Sequence, residues 1–279
     1  QGMYEVLSVL KDQEIYSKQL AERRGQEPRS YHGVFASHPS NDKRLQEVLN
    51  NVSNSFQKGN QKKNDTYLQK IEGMVFGDSE QSGIRRGTEF FHGPLNLYLA
   101  SPKTWEIINT PNQLIFSSPS GEAVLQMTLE DLNFKETPEE YLKRFAPYTF
   151  EDQSLNVNGY DGFTAKVNRS GRLTRMGVIF KNDQVFQFIG YTKDQRFNLS
   201  AYDVQFLQIM KSLRSLKKEE QPLSKPLRLR SYKVKKGDTY KSLAAISSIN
   251  INAEDQLRLI NGDYPDKKLE IGRVIKIVN

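Results

Sequence analysis

Apolar residues Tyr4, Val6, Leu7, Leu10, Ile15 and Leu20 recur at helical spacing over residues 4–24, with charged residues between them. That period predicts a helix with one buried face. Gly25 and Pro28 follow and end it. After a loop, Asn41 or Asp42 can cap a second helix whose apolar stripe is Leu45, Val48, Leu49 and Val52. Residues 57–65 are polar and rich in Gly, Asn and Lys, which reads as a loop.

From Tyr67 the texture changes to strands. Runs at 87–92, 95–100, 114–118 and 123–129 are separated by Gly, Pro, Asn and Ser. Thr137, Pro138, Glu139 and Glu140 open a helix, with a cap, a first-position proline and acids in the first turn. Residues 163–169, 173–181 and 185–192 read as antiparallel strands joined by turns at 169–171 and 181–183, and Asp161-Gly162 reads as a further turn former. A helix at 201–213 then turns Val204, Leu207, Ile209, Met210 and Leu213 inward. Strands in runs with segregated helices predict an α+β fold. Its parts are an N-terminal helical segment, a central antiparallel sheet with helices on one face, and a small βααβ C-terminal module. The charged, two-proline stretch 217–228 reads as a linker. The expected division is 3–57, 66–216, 217–228 and 229–279.

A length of 279 residues fits about two or three such pieces. No apolar run approaches the ~20 residues a membrane-spanning helix needs. The absence of cysteine removes disulfides, thiol catalysis and cysteine-based metal sites. Charge is unevenly placed: residues 222–279 hold 12 Lys and Arg against 6 Asp and Glu, while the rest of the chain holds 28 against 27. A basic module suits an anionic partner or is simply a solvated basic face. Charge alone does not support nucleic-acid binding without a matching fold signal. There is no G-x-x-x-x-G-K-S/T phosphate loop, no G-x-S-x-G elbow and no G-x-G-x-x-G after a strand. Trp105 reads as a core anchor, and His92, before Gly93-Pro94, as structural.

Three resemblances add to this reading. Residues 95–105, from Leu95 through Ser101-Pro102 to Trp105, are similar to the opening strand and turn of PsbP-like sheet proteins. The run Tyr232-Lys233-Val234-Lys235-Lys236-Gly237-Asp238-Thr239-Tyr240 resembles the opening of a LysM domain. Leu257, Leu259-Ile260-Asn261-Gly262 and Leu269, Ile271-Gly272, Val274-Ile275, Ile277 are similar to its later consensus. The resemblance implies a groove for N-acetylglucosamine polymers between two loops. Its residues would be Gly237, Asp238, Thr239, Tyr240, Asn261, Gly262, Asp263 and Tyr264, with peptidoglycan as partner. Residues 245–255 and the insert at 264–268 depart from the usual pattern.

The third resemblance concerns residues 3–52. Ser37-His38-Pro39 with Arg44 is similar to the S/T-H-P-x-x-x-x-R element of HtpX/BepA-type zinc metallopeptidases, and Tyr31-His32-Gly33 belongs to the same resemblance. Those enzymes take their metal from an H-E-x-x-H helix, and this sequence has none; its histidines are His32, His38 and His92. The resemblance implies an accessory C-terminal region of an envelope or periplasmic metallopeptidase, noncatalytic and without a cofactor of its own. Zinc would belong to the full-length parent, His38 would be an auxiliary or regulatory ligand there, and a missing N-terminal peptidase domain would be the natural partner. Helix 4–24 would otherwise pack on the central sheet or form a homodimer. The alternative reading is a stand-alone protein that binds cell-wall glycan.

Overall fold

The computed structural model describes residues 2–23, 63–132, 135–169, 171–194 and 196–279, and, of these, the side chains of 2–5 and 63–66 are outside the description. His32, His38, the turn residue Ser170 and the second helix expected from Asn41 or Asp42 lie outside the described residues. The chain divides into two compact units, one of Gln1–Phe76 with Leu227–Asn279, the other of Gly77–Pro226. The first unit opens with α1 (Gly2–Arg23), α2 (Lys63–Ile71) and β1 (Val75–Phe76). The helix read at 4–24 is present. Residues 67–71, expected to begin the strands, instead continue a helix from 63. Its buried Leu68 and half-buried Ile71 stand three apart, on one helical face.

The second unit holds two antiparallel sheets. A small one joins β2 (Ile84–Arg86), β3 (Glu89–His92) and β4 (Leu97–Ala100). In the seven-stranded sheet, β5 (Glu106–Asn109), β6 (Leu114–Ser117) and β7 (Ala123–Asp131) lead to the central β11 (Gln184–Thr192). The order continues through β10 (Arg172–Lys181) and β9 (Tyr160–Arg169) to the edge strand β8 (Thr149–Val157). Between β7 and β8 lies α3 (Pro138–Phe145), opened by a capping box in which Thr137 and Glu140 exchange hydrogen bonds. After β11 comes α4 (Asp203–Lys211).

The sequence reading places the helices on one face of the sheet; they cover opposite faces. Tyr141 and Leu142 of α3 pack on Phe163, Ala165, Val178 and Val185. Residues of the other parity meet α4: a Cβ on Gly177 would lie 2.7 Å from Met210 Sδ, and one on Gly190 2.7 Å from the Phe206 ring. Side chains alternate across a strand, so apolar residues at both parities require cover on both faces. Trp105 sits in the α4-side core, edge-on to Phe206 at 5.8 Å. His92 accepts the Leu95 N–H on Nδ1 at 3.2 Å, a structural role in the turn before β4.

The turn expected at Asp161-Gly162 falls instead at Asn158-Gly159, both with positive φ. Gly162 lies inside β9, where a Cβ would come 2.8 Å from the Val178 carbonyl oxygen. Residues 217–228, read as a linker, hold a 3-10 helix at Lys218–Ser224. It is anchored by the Arg214–Glu220 pair, with hydrogen bonds of 2.7 Å to both carboxylate oxygens.

The first unit resumes with β12 (Leu227–Lys233), α5 (Tyr240–Ile246), α6 (Ala253–Asn261) and β13 (Val274–Val278). β12 pairs antiparallel with β13 on one side and with β1 on the other, giving a three-stranded sheet. Its core is Leu229, Val234, Tyr240, Leu243, Ile249, Leu257, Ile275 and Val278, with Ile71 of α2 and Phe76 of β1 packed against it. The βααβ module therefore recruits a helix and a strand from far upstream. α1 lies in this unit as well, along α6.

Candidate functional site

Two loops of the βααβ module meet where β12 ends and β13 begins. Val234 N–H donates to the Arg273 carbonyl and Gly272 N–H to the Val234 carbonyl, both at 2.9 Å. In the first loop, Gly237 turns the chain at φ +91° with nothing within 4 Å of a Cβ position, so backbone freedom is what glycine supplies there. Asp238 Oδ2 accepts the Lys235 N–H at 2.7 Å and the Tyr232 hydroxyl at 3.0 Å. Thr239 caps α5, accepting the Ser242 N–H at 3.1 Å. Lys235, Lys236, Gly237 and Thr239 are exposed, so the loop presents its polar backbone to solvent.

The second loop is built on Gly262, the left-handed C-terminal cap of α6 at φ 66°. Asn261 is a strut: its amide donates to the carbonyls of Leu257 and Lys276, and its oxygen accepts the Lys276 N–H, each at 2.8 Å. Asp263 is buried, 1% exposed. Its Oδ2 accepts from the Tyr240 hydroxyl at 2.5 Å and from Arg273 Nη1 at 2.7 Å, while Lys267 Nζ stands 3.4 Å from Oδ1. The Arg258 guanidinium lies 4.7 Å from the Tyr240 ring centroid. Burial, and then the hydrogen bond to Asp263, push the Tyr240 hydroxyl well above the usual tyrosine range. Tyr264 is also buried, its hydroxyl donating to Gln19 Oε1 of α1 at 2.5 Å and its ring edge-on to Tyr16 at 5.8 Å.

The eight residues expected at the groove thus divide. Gly237, Asp238 and Thr239 form an accessible loop. Tyr240, Asn261 and Asp263 form the internal frame that holds the second loop, and Gly262 and Tyr264 lie beside α1. Sequence reasoning missed Arg258 and Arg273, the basic partners of the frame, and Ile271, which is 71% exposed beside the first loop's partner strand. An apolar side chain among polar backbone groups suits a sugar ring, which offers both a C–H face and hydroxyls. The contacts of Tyr16 and Gln19 had no local signal, because Gln19 and Tyr264 are 245 positions apart. Among the described residues no group of three His, Cys, Asp or Glu side chains could hold a metal ion.

Residues 232–278 match the LysM domain family. The match contains both loops, and the C-terminal module is a LysM domain. No curated protein matches the chain. Among solved structures, the chain is similar to cyanobacterial PsbP (CyanoP) from Synechocystis sp. PCC 6803 at 10% identity and a TM-score of 0.36, covering 48% of this chain and 94% of that one. It is similar to a protein from Bacteroides thetaiotaomicron VPI-5482 at 12% identity and a TM-score of 0.35, covering 49% and 51%. Similarity to LpqN, which is involved in cell envelope biogenesis of Mycobacterium tuberculosis, is at 11% identity and a TM-score of 0.27, covering 51% and 92%.

Proposed function

We propose that this protein binds cell-wall glycan, peptidoglycan foremost, through the LysM domain at 232–278, and works in the cell envelope. The observation that carries the reading is the family match together with the exposed loop around Gly237 that it contains. Backbone amides and carbonyls at a tight turn suit acetamido and hydroxyl groups, and the exposed Ile271 offers an apolar surface to a sugar face. The buried frame of Tyr240, Asp263 and Arg273 keeps the two loops in register without contacting ligand.

Co-sedimentation with insoluble peptidoglycan tests this. The protein is expected in the pellet at moderate salt, where attraction by charge alone is screened. Ile271→Glu, at an exposed position, should reduce pelleting without loss of folding. Wild-type protein that stays in the supernatant would refute the reading. The other reading, an accessory region of a zinc metallopeptidase, rests on the resemblance at residues 3–52, of which 24–52 lie outside the described residues.

A further inference from the structure

We propose that the sheet unit binds a phosphate monoester in a hollow lined by Arg169, Arg172 and Tyr191, on the part of the sheet face that α3 leaves bare. Side chains alternate along a strand, so residues of one parity can be followed out from under the helix. On β11 the series is Val185, packed on α3, then Gln187, whose amide donates to the Tyr141 hydroxyl at 2.7 Å, then Ile189 and Tyr191. On β10 it is Val178 and Met176 against α3, then Thr174 and Arg172. On β9 it is Phe163 and Ala165, then Val167 and Arg169. Beyond α3 the strands form a hollow of about 270 Å³, open to solvent and lined by Gln126, Arg169, Arg172, Thr174, Ile189 and Tyr191.

Charge and hydrogen bonding both fit an anion there. Arg169 and Arg172 are register partners across the β9–β10 hairpin, and both line the hollow. Like charges directly opposite on an antiparallel pair are destabilising. Among the described residues neither guanidinium forms an ion pair. Arg172 does act on the Asp194 carboxylate, but Arg196 already engages that group, through Nε at 3.0 Å and Nη2 at 2.7 Å. Gln126 Nε2 donates to the Tyr191 hydroxyl at 3.1 Å, which leaves the hydroxyl proton to donate elsewhere. The hollow thus offers two permanent positive charges and a spare hydroxyl donor, beside the apolar Ile189 and the Tyr191 ring. A phosphate monoester matches on each count. Its dianion neutralises both guanidiniums, its terminal oxygens accept several charge-assisted hydrogen bonds, and its carbon substituent meets an apolar wall. The volume suits a small ester or one lipid headgroup, just below the usual range for drug-sized ligands.

The test uses the full chain. Glycerol 3-phosphate is titrated by calorimetry, and phosphatidylcholine vesicles with and without phosphatidic acid, which carries the same phosphomonoester on a lipid, are used for co-sedimentation. Binding of glycerol 3-phosphate assigns a soluble ester, and binding only to the phosphatidic acid vesicles assigns the lipid. In either arm Arg169→Gln and Arg172→Gln should each weaken binding roughly tenfold or more. Lys103→Gln, which removes the same charge at an exposed position of the same unit, should leave it unchanged. Because the two arginines repel, each arginine variant should also melt slightly higher than wild type without ligand, and should lose the rise that ligand gives wild type. No binding in either arm overturns the proposal. So does binding that survives in both arginine variants, which belongs to the basic C-terminal module, or that falls equally in Lys103→Gln. A lower melting temperature for both arginine variants without ligand makes the pair part of the framework, and overturns it as well.

Discussion

The Tyr240 hydroxyl donates a 2.5 Å hydrogen bond to Asp263 Oδ2, joining the first turn of one LysM helix to the loop after the other. The same oxygen accepts from Arg273, so three elements meet on one buried carboxylate. A buried charge is costly to hold and costlier to orphan. Asp263→Ala should destabilise the first unit by about 3 kcal/mol, because Arg273 loses its counter-charge and Tyr240 its acceptor. Denaturant unfolding followed by a probe in that unit checks this, and a loss within error of wild type would contradict it.

Acid should weaken the sheet unit through Glu220. The hydrogen bonds from Arg214, helped by the Lys217 N–H and by both positive charges, hold its carboxyl down at about 2, against a usual 4.5. A depressed carboxyl contributes stability above its unfolded value and loses it as protons bind to the folded state. The contribution is therefore full above pH 4.5 and fades towards pH 2. Melting temperature measured over that window should fall less steeply in Glu220→Gln than in wild type.

Asp203 holds two cations at the start of α4. Arg175 donates to both its oxygens, at 2.7 and 2.6 Å, and Lys166 Nζ stands 3.7 Å away. Burial alone would push the Asp203 carboxyl up, but Arg175 and Lys166 hold it below its usual value. The side chains of Arg175 and Lys166 are 4% and 7% exposed, which leaves little water to compensate them. Asp203→Ala should cost about 3 to 5 kcal/mol in the sheet unit, softened where Glu151, 2.5 Å from Lys166, takes up the charge. Adding Lys166→Met to Asp203→Ala should recover part of the loss, measured by equilibrium unfolding.

Gly162→Ala tests a close approach in the sheet. The new methyl would meet the Val178 carbonyl oxygen at 2.8 Å, and that atom cannot swing away as a side-chain end can. The strands β9 and β10 must part locally, at a cost of about 1 to 3 kcal/mol. Gly159→Ala, nearby, fails for a different reason: space is open, but φ is +89°. Unfolding midpoints of the two variants should both fall, and only Gly162→Ala should loosen hydrogen exchange at Val178 and its neighbours.

Elements with a strong period or a cap were legible in the sequence. α1 showed itself through its apolar spacing, α3 through Thr137 and Pro138, and the LysM module through its ordered motif. α2 was hidden because its nine residues carry few apolar side chains, and its helix is held by Leu68 and Ile71 packing on distant partners. β8 was missed because it is an edge strand exposed along most of its length, with no alternation to read. Asp161-Gly162 misled because glycine there serves strand packing, which local sequence does not distinguish from a turn. At the site, both loops could be read but not their division into frame and surface. The burial of Asp263 and Tyr264 depends on Arg273, Gln19 and Tyr16, and such partnerships are made only by the folded chain.

Phe76 pairs with Leu227, and Val75 with Arg228, so the backbone leaves the LysM-containing unit and re-enters it on adjacent strands. To that unit, everything from Gly77 to Pro226 is one long detour whose two ends are already held side by side. The closure entropy of such a detour grows only slowly with its length. A short turn in place of residues 77–226 would therefore leave β1 and β12 paired, and the sheet unit can be exchanged without redesigning the strand pair that frames it.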